Sequence, residues 1–127
     1  MVKVTPLIKI GSDERGATFV FDTERTGQFM VAHRKAGSVS GNHYHTAKHP
    51  SKQPEKLIMM SGTATLDWRD LASGATGTET LIGPAEVWIA PNVWHKVTAV
   101  TDFVMLELNG MDAGVGDTLK WDEGTKD

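Results

Sequence analysis

Histidines that could share a metal ion occur in two parts of this sequence. His43 and His45 flank Tyr44, and His95 lies farther along the chain. On a β-strand, residues two apart point to the same face, so the imidazoles of His43 and His45 can bind one ion together. Neutral imidazole is a common ligand of divalent transition metals. Taken alone, such a pair is also typical of two polar side chains exposed beside a loop.

Turn residues and a carboxylate accompany these histidines. The run from Gly37 to His45 reads as a glycine-containing turn that leads into the histidine pair. The run from Glu55 to Gly62 is an apolar strand between a carboxylate and a turn glycine. The run from Gly83 to His95 predicts a strand, a tight turn and then a histidine that begins another strand. Asn92 in that turn tolerates the left-handed backbone conformation better than other residues except glycine.

Together these runs resemble the two sequence motifs of the cupin superfamily. The residues that match the motif positions are Gly37, His43, His45, Glu55, Gly62 and His95. The resemblance implies an all-β chain folded as a cupin-type double-stranded β-helix, which is a jelly-roll barrel. It also implies one divalent transition metal (Zn, Fe, Ni, Co or Mn), because imidazole and carboxylate ligands suit all of these. The implied ligands are His43, His45, Glu55 and His95.

The sequence departs from the first motif between His45 and Glu55. Nine residues separate the two, and the family pattern is shorter. If positions are counted forward from His45, His49 falls where the family has its glutamate. If they are counted back from Gly62, Glu55 falls at that position. We favour Glu55 as the fourth ligand because it opens a strand, whereas His49 precedes Pro50 in a predicted loop. A site with His49 as the ligand and a site with three histidines alone are the alternatives.

Short apolar strands separated by turn residues run through most of the chain. They are predicted at Val2–Ile10, Ala17–Phe21, Gln28–Lys35, Lys56–Met60, Thr63–Trp68, Glu79–Ile82, Glu86–Ala90, Lys96–Val100 and Phe103–Leu108. Many short strands without a helical period indicate a sandwich or a barrel. We expect one domain, residues 1–109, followed by an acidic tail, residues 110–127, that is loosely attached to the surface.

Composition limits the partners of the chain. It has 127 residues, no cysteine and a formal net charge of −3. The absence of cysteine excludes disulfides and thiolate metal sites, and the mild acidity argues against nucleic acid. No apolar run is long enough to span a bilayer and Met1–Pro6 does not resemble a signal peptide, so we expect a cytoplasmic protein without membrane contact. The hydrophobic N-terminal strand Val2–Ile10 predicts a homodimer, since an unpaired apolar strand needs a partner.

Shorter stretches indicate a branch of the superfamily. Asp13–Gly16 resembles the segment that opens sugar-nucleotide epimerases of the deoxyhexose type, and Gly41–His45 resembles cupin domains of capsular-sugar biosynthesis. These resemblances imply a metal-dependent isomerase or epimerase that acts beside the keto group of a small carbohydrate-like substrate. The candidate catalytic bases are His49 and Glu55, whichever of them does not bind the metal. Full epimerases of that type use a metal-free histidine, whereas His43 would bind the metal here.

Two further functions fit the same residues. An Fe(II)-dependent dioxygenase would bind its substrate and O2 at adjacent open positions on the metal. A non-enzymatic sensor or binding protein would hold a small-molecule ligand in an apolar pocket lined by tryptophan and methionine. The dioxygenase predicts activity only with iron and O2, the epimerase predicts uptake of solvent deuterium next to a carbonyl, and the sensor predicts binding without turnover.

Overall fold

The chain folds into antiparallel β-sheets. The computed structural model describes residues 1–45, 55–108 and 118–120. The strands of this part are β1 (Val2–Pro6), β2 (Ile8–Asp13), β3 (Gly16–Val20), β4 (Met30–Arg34), β5 (Val39–His45), β6 (Glu55–Ser61), β7 (Thr63–Asp70), β8 (Thr76–Ile82), β9 (Ala85–Ile89), β10 (Val93–Ala99), β11 (Phe103–Glu107) and β12 (Thr118–Lys120). Within these ranges, no helix has the length and apolar character needed to cross a membrane.

Two five-stranded sheets and one hairpin make up the fold. The first sheet has the order β1-β9-β6-β11-β4, the second has the order β12-β5-β10-β7-β8, and β2 pairs with β3 in the hairpin. Strands distant in sequence are neighbours in both sheets, as β6 is to β9 and β5 is to β10. This crossing of the chain between two packed sheets is typical of a jelly roll. The predicted all-β jelly-roll barrel of the cupin type is confirmed.

Alternate side chains of the two sheets meet in the barrel interior. In β9, buried Ala85, Val87 and Ile89 alternate with half-buried residues, as expected for a strand with one face on the core. The core consists of Leu57, Met59, Ala64, Leu66, Leu81, Val87, Ile89, Val93, Val97, Ala99, Phe103 and Met105. Complete burial of one large apolar side chain contributes about 1.5–3 kcal/mol, so this cluster is the main stabilising feature of the barrel.

Strand β6 is buried on both faces. Leu57 points into the core, while Lys56 and Ile58 on the opposite face are only 6% and 1% exposed. The Lys56 ammonium group donates a hydrogen bond to the backbone oxygen of Asp22 at 2.6 Å and pairs with the Glu86 carboxylate at 3.0 Å. The segment that follows β3 therefore packs over the outer face of the first sheet.

The predicted strand from Val2 to Ile10 is two strands in the structure. β1 pairs with β9 of the same chain, and β2 pairs with β3. Pro6 ends β1 because it has no amide hydrogen for the ladder, and the next amide, that of Leu7, donates to the Pro84 carbonyl at 3.1 Å. Val2–Pro6 is thus paired on one side within its own chain and forms an edge of the first sheet. The homodimer stays a prediction.

One strand of the predicted acidic tail lies within the described residues. β12 pairs with β5, with Thr118 opposite His45 and Lys120 opposite His43 in the backbone register. The remainder of the tail, residues 110–117 and 121–127, lies outside the described part of the chain. The division into a domain and a loosely attached tail therefore stays a prediction.

Gly62, between β6 and β7, provides a test of the barrel packing. Its φ is +92°, and an added Cβ would overlap the Asp102 carbonyl oxygen and lie 2.7 Å from the Phe103 Cβ. We expect Gly62→Ala to lower the free energy of unfolding by about 2–4 kcal/mol, because left-handed strain adds to a clash with backbone atoms. Gly74→Ala is the matched control, since Gly74 has φ +80° but its nearest neighbour is 3.9 Å away. Urea unfolding should show a loss of only about 1–2 kcal/mol for the control, and equal losses would contradict the described packing.

Candidate functional site

His43 and His95 face each other across two neighbouring strands. They are direct cross-strand partners in the β5–β10 pair of the second sheet. Their ring centroids are 4.7 Å apart and the ring planes meet at 82°. The pairing of these two strands therefore joins the two histidine-containing runs of the sequence, which are far apart along the chain.

Glu55 reaches the same point from the other sheet. It is the first residue of β6, and its Oε2 lies 3.5 Å from His95 Nε2. Glu55 and His95 are each 3% exposed, while His43 is half-buried. One ligand atom from each of these three residues lies within 4.8 Å of the other two. The three side chains form a compact cluster of metal-ligating groups, which we call the His-Glu cluster.

A bulge in β5 directs His43 toward the cluster. The register with β10 shifts after His95, and Asn42 is the extra residue, with φ 63°. Its Oδ1 accepts a hydrogen bond from Trp94 Nε1 at 2.8 Å. A Cβ on Gly41 would lie 3.1 Å from the backbone oxygen of His95, so glycine allows β5 to approach this closely. Bulges of this kind re-aim side chains beside functional sites.

The backbone fixes the orientation of His95. Its Nδ1 lies 3.1 Å from the Val93 carbonyl oxygen, and because a carbonyl can only accept, Nδ1 carries the hydrogen. In the neutral ring, Nε2 then presents its lone pair to the Glu55 carboxylate. Two acceptors at this distance repel each other unless a positive charge, a metal ion or a proton, lies between them. Backbone hydrogen bonds to the second ring nitrogen are typical of metal-binding histidines.

The dimensions of the His-Glu cluster fit one metal ion. Bonds of about 2.0–2.2 Å at a tetrahedral angle place two ligand atoms about 3.4 Å apart. The 3.5 Å between His95 Nε2 and Glu55 Oε2 agrees with this value. Imidazole nitrogens with a carboxylate oxygen suit Zn, Fe, Ni, Co and Mn alike, so the donor set is compatible with every predicted metal.

The structure places three of the four predicted ligands together, namely His43, Glu55 and His95. His45 is the last residue of β5, and its side chain lies outside the described part of the chain, as does the whole of His49. Their predicted roles, in metal binding and proton transfer, therefore stay predictions. Glu55 opens a strand as expected, and its enclosed place in the cluster suits a ligand. His33 is exposed on β4 and is not part of this cluster.

The His-Glu cluster lines a narrow cavity of about 90 Å³ between the two sheets. The apolar side chains along it include Leu57, Val97 and Met105, and three polar residues not singled out from the sequence also line it: Arg34, Ser40 and Glu107. The Arg34 guanidinium donates from Nε to the Ser40 hydroxyl oxygen at 2.9 Å. The alternation of Phe103, Met105 and Glu107 along β11 is the sequence signal that would have placed Glu107 on the inner face.

A larger cavity, about 660 Å³, lies on the outer face of the first sheet and contains none of the clustered histidines. Trp88 Nε1 donates to Glu86 at 2.6 Å, and the same carboxylate pairs with Lys56 at 3.0 Å. Burial lowers the pKa of Arg25 at this cavity, and the carboxylates of Glu55 and Glu86 offset part of that shift. The Lys56–Glu86 ion pair and the Trp88–Glu86 hydrogen bond thus connect β6 and β9 on this outer face.

Solved structures with the same fold include sugar-nucleotide enzymes. QdtA, a 3,4-ketoisomerase from Thermoanaerobacterium thermosaccharolyticum, solved as a double mutant with TDP, has a TM-score of 0.74 and 18% identity over 94% of this chain and 87% of that one. A dTDP-4-dehydrorhamnose 3,5-epimerase from Sulfolobus tokodaii has a TM-score of 0.71 and 17% identity over 99% and 80% of the two chains. At such low identities these two likenesses show a shared fold.

The capsular polysaccharide assembling protein CapF from Staphylococcus aureus is 27% identical, with a TM-score of 0.62. The match covers 92% of this chain but 33% of CapF, so this chain spans about a third of CapF's length. Its name agrees with the resemblance of Gly41–His45 to cupin domains of capsular-sugar biosynthesis.

A family match covers most of the chain and the whole His-Glu cluster. None of the curated protein sequences matches the chain significantly. The sequence profile of the polysaccharide biosynthesis C-terminal domain family, in contrast, matches residues 11–109. That span begins within β2, ends just after β11 and includes His43, Glu55 and His95. The chain therefore belongs to the polysaccharide biosynthesis C-terminal domain family.

Proposed function

We propose that this chain is a metal-dependent isomerase or epimerase acting beside the keto group of a nucleotide-linked sugar. The observation that carries the proposal is the His-Glu cluster, in which His43, Glu55 and His95 meet inside the barrel with ligand atoms within 4.8 Å of one another. The family match supports a role in polysaccharide biosynthesis. Two structures of the same fold are a sugar ketoisomerase and a sugar epimerase by name, which supports the reaction class.

The residues of the cluster would hold the metal. His43, Glu55 and His95, together with the predicted ligand His45, make a four-ligand set, and a divalent ion accepts further oxygen ligands beyond four. When bound, such an ion acts as a Lewis acid that stabilises negative charge on a substrate oxygen. Leu57, Val97 and Met105 border the cluster, and apolar neighbours strengthen electrostatic interactions at the reacting atoms.

The reaction needs one proton to leave carbon and one to return. Loss of a proton from the carbon next to the keto group moves the C–H electron pair toward the keto oxygen and forms an enolate. Return of a proton to the opposite face inverts that carbon. No oxidant or reductant is required. Because Glu55 is enclosed between imidazoles, we assign it to metal binding, which leaves His49 as the predicted candidate for returning a proton to carbon.

Solvent-deuterium exchange tests the proposed function. We expect the metal-loaded protein, incubated in deuterium oxide with TDP-4-keto-6-deoxyglucose, the ligand of one QdtA structure, to incorporate deuterium next to the keto group. Proton NMR and mass spectrometry of the recovered sugar would show it, and O2 should not be consumed. Absence of exchange on both TDP-linked and UDP-linked keto sugars would contradict the proposal. Turnover that requires iron and O2 would favour the dioxygenase, and tight binding without exchange would favour the sensor.

Substitution of the proposed ligands tests the metal site separately from turnover. We expect His43→Ala, Glu55→Gln and His95→Ala each to weaken Zn²⁺ affinity by about 100-fold or more, since even residues that only support metal ligands contribute about 10–100-fold. His33→Ala is the control, because His33 is exposed on β4 and lies outside the His-Glu cluster. Competition with a chromophoric chelator measures each affinity. Unchanged affinity in any two of the three ligand variants would refute this ligand set.

A further inference from the structure

The cavity beside the His-Glu cluster contains a second carboxylate. β11 runs from Phe103 to Glu107, and Phe103 and Met105 are 4% and 6% exposed on its inner face. Glu107 continues the same alternation and is half-buried. It lines the same cavity as the cluster residues. Glu107 therefore brings a carboxylate to an inner face of β11 that is apolar at Phe103 and Met105.

Glu107 lies next to Glu55 on the barrel wall. Its backbone partner on β6 is Leu57, and Glu55 is two residues from Leu57 on the same face. The two glutamates are therefore diagonal neighbours on adjacent strands, with Cα atoms about 7–8 Å apart. Among the described residues, the ligand atoms that lie within 4.8 Å of one another belong to His43, Glu55 and His95. Glu107 is not part of this group. Glu107 thus stands beside the cluster and is not one of its ligands.

We infer that Glu107 is the catalytic base that takes the substrate proton, an inference that rests on the proposed function. Glu55 is 3% exposed with its Oε2 3.5 Å from His95 Nε2, so its carboxylate is committed to the cluster. The Glu107 carboxylate lies in the same cavity outside the ligand set. Two neighbouring carboxylates with different surroundings commonly divide binding and proton transfer between them.

The proposed step is balanced without a co-reactant. The Glu107 carboxylate accepts the proton from the carbon next to the keto group, and the C–H bond breaks. Its electron pair forms the new C=C bond of the enolate while the keto oxygen takes the negative charge. The protonated Glu107 then releases this proton to water, and a proton that originates from water returns to carbon, on the opposite face when the product is the epimer. In deuterium oxide the returning atom is deuterium. The substrate class is a keto sugar with a hydrogen on the carbon adjacent to the carbonyl.

The test compares two identical substitutions at half-buried glutamates of the barrel. Glu107→Gln should retain one Zn²⁺ per chain and bind TDP as the wild type does, but lose deuterium exchange on TDP-4-keto-6-deoxyglucose by about 100-fold or more, the usual contribution of a general base. Glu79→Gln is the matched control. Glu79 accepts a hydrogen bond from Trp68 Nε1 at 3.2 Å on the other sheet, and its substitution should leave exchange within a few-fold of the wild type.

Each other outcome overturns the inference for a different reason. Wild-type exchange in Glu107→Gln would show that another group moves the proton, and loss of Zn²⁺ in that variant would show that Glu107 is a ligand. Absence of exchange in the wild type itself would refute the proposed function, which separates that failure from the failure of Glu107. If circular dichroism shows that Glu107→Gln is unfolded, Glu107→Asp is tested in its place. Glu107→Asp should bind Zn²⁺ as the wild type does and catalyse deuterium exchange more slowly. Exchange at the full wild-type rate would overturn the inference.

Discussion

A carboxylate and two imidazoles meet in the interior of a barrel whose other walls are largely apolar, and this burial constrains the rest of the structure. Glu55 and His95 are each 3% exposed, so neither is stabilised by bulk water. An ionised carboxylate in such a place costs several kcal/mol unless a positive charge compensates it. Glu55 comes from the first sheet and the histidines come from the second. The two sheets must therefore pack so that these side chains meet, because only then can one positive charge compensate the Glu55 carboxylate.

The strand that carries Glu55 is fixed from outside the barrel. Lys56, the next residue, points to the opposite face and is held by the Glu86 carboxylate and the Asp22 carbonyl oxygen. A shift of β6 by one residue would turn Lys56 into the apolar core and Glu55 outward, and both movements are strongly unfavourable. On the second sheet, the bulge at Asn42 and the absence of a side chain at Gly41 set the position of His43. The site geometry therefore depends on packing on both faces of each sheet.

Local features of the fold and the site could be predicted from the sequence, and long-range ones could not. Short apolar runs between turn residues indicated most strands, and Asn92 adopts the expected left-handed conformation, with φ 60°. The apolar run that follows Glu55 correctly placed this residue at the start of a strand. The split after Pro6 was missed because an alternating pattern does not show that β1 pairs with β9 and β2 with β3. Alternation along β11 could have placed Glu107 on the inner face, but only the pairing of β11 with β6 shows that Glu107 lies near Glu55.

The occupancy of the His-Glu cluster is the central claim, and one measurement on the wild-type chain tests it most directly. Protein purified without chelator and without a nickel column should be analysed by inductively coupled plasma mass spectrometry, with X-ray absorption at the edge of the metal found. We predict about one divalent transition metal per chain, with a first shell of nitrogen and oxygen at about 2.0–2.2 Å and no sulfur. Folded protein that contains no metal, and takes up none when Zn²⁺, Fe²⁺, Ni²⁺, Co²⁺ or Mn²⁺ is added, would contradict the claim.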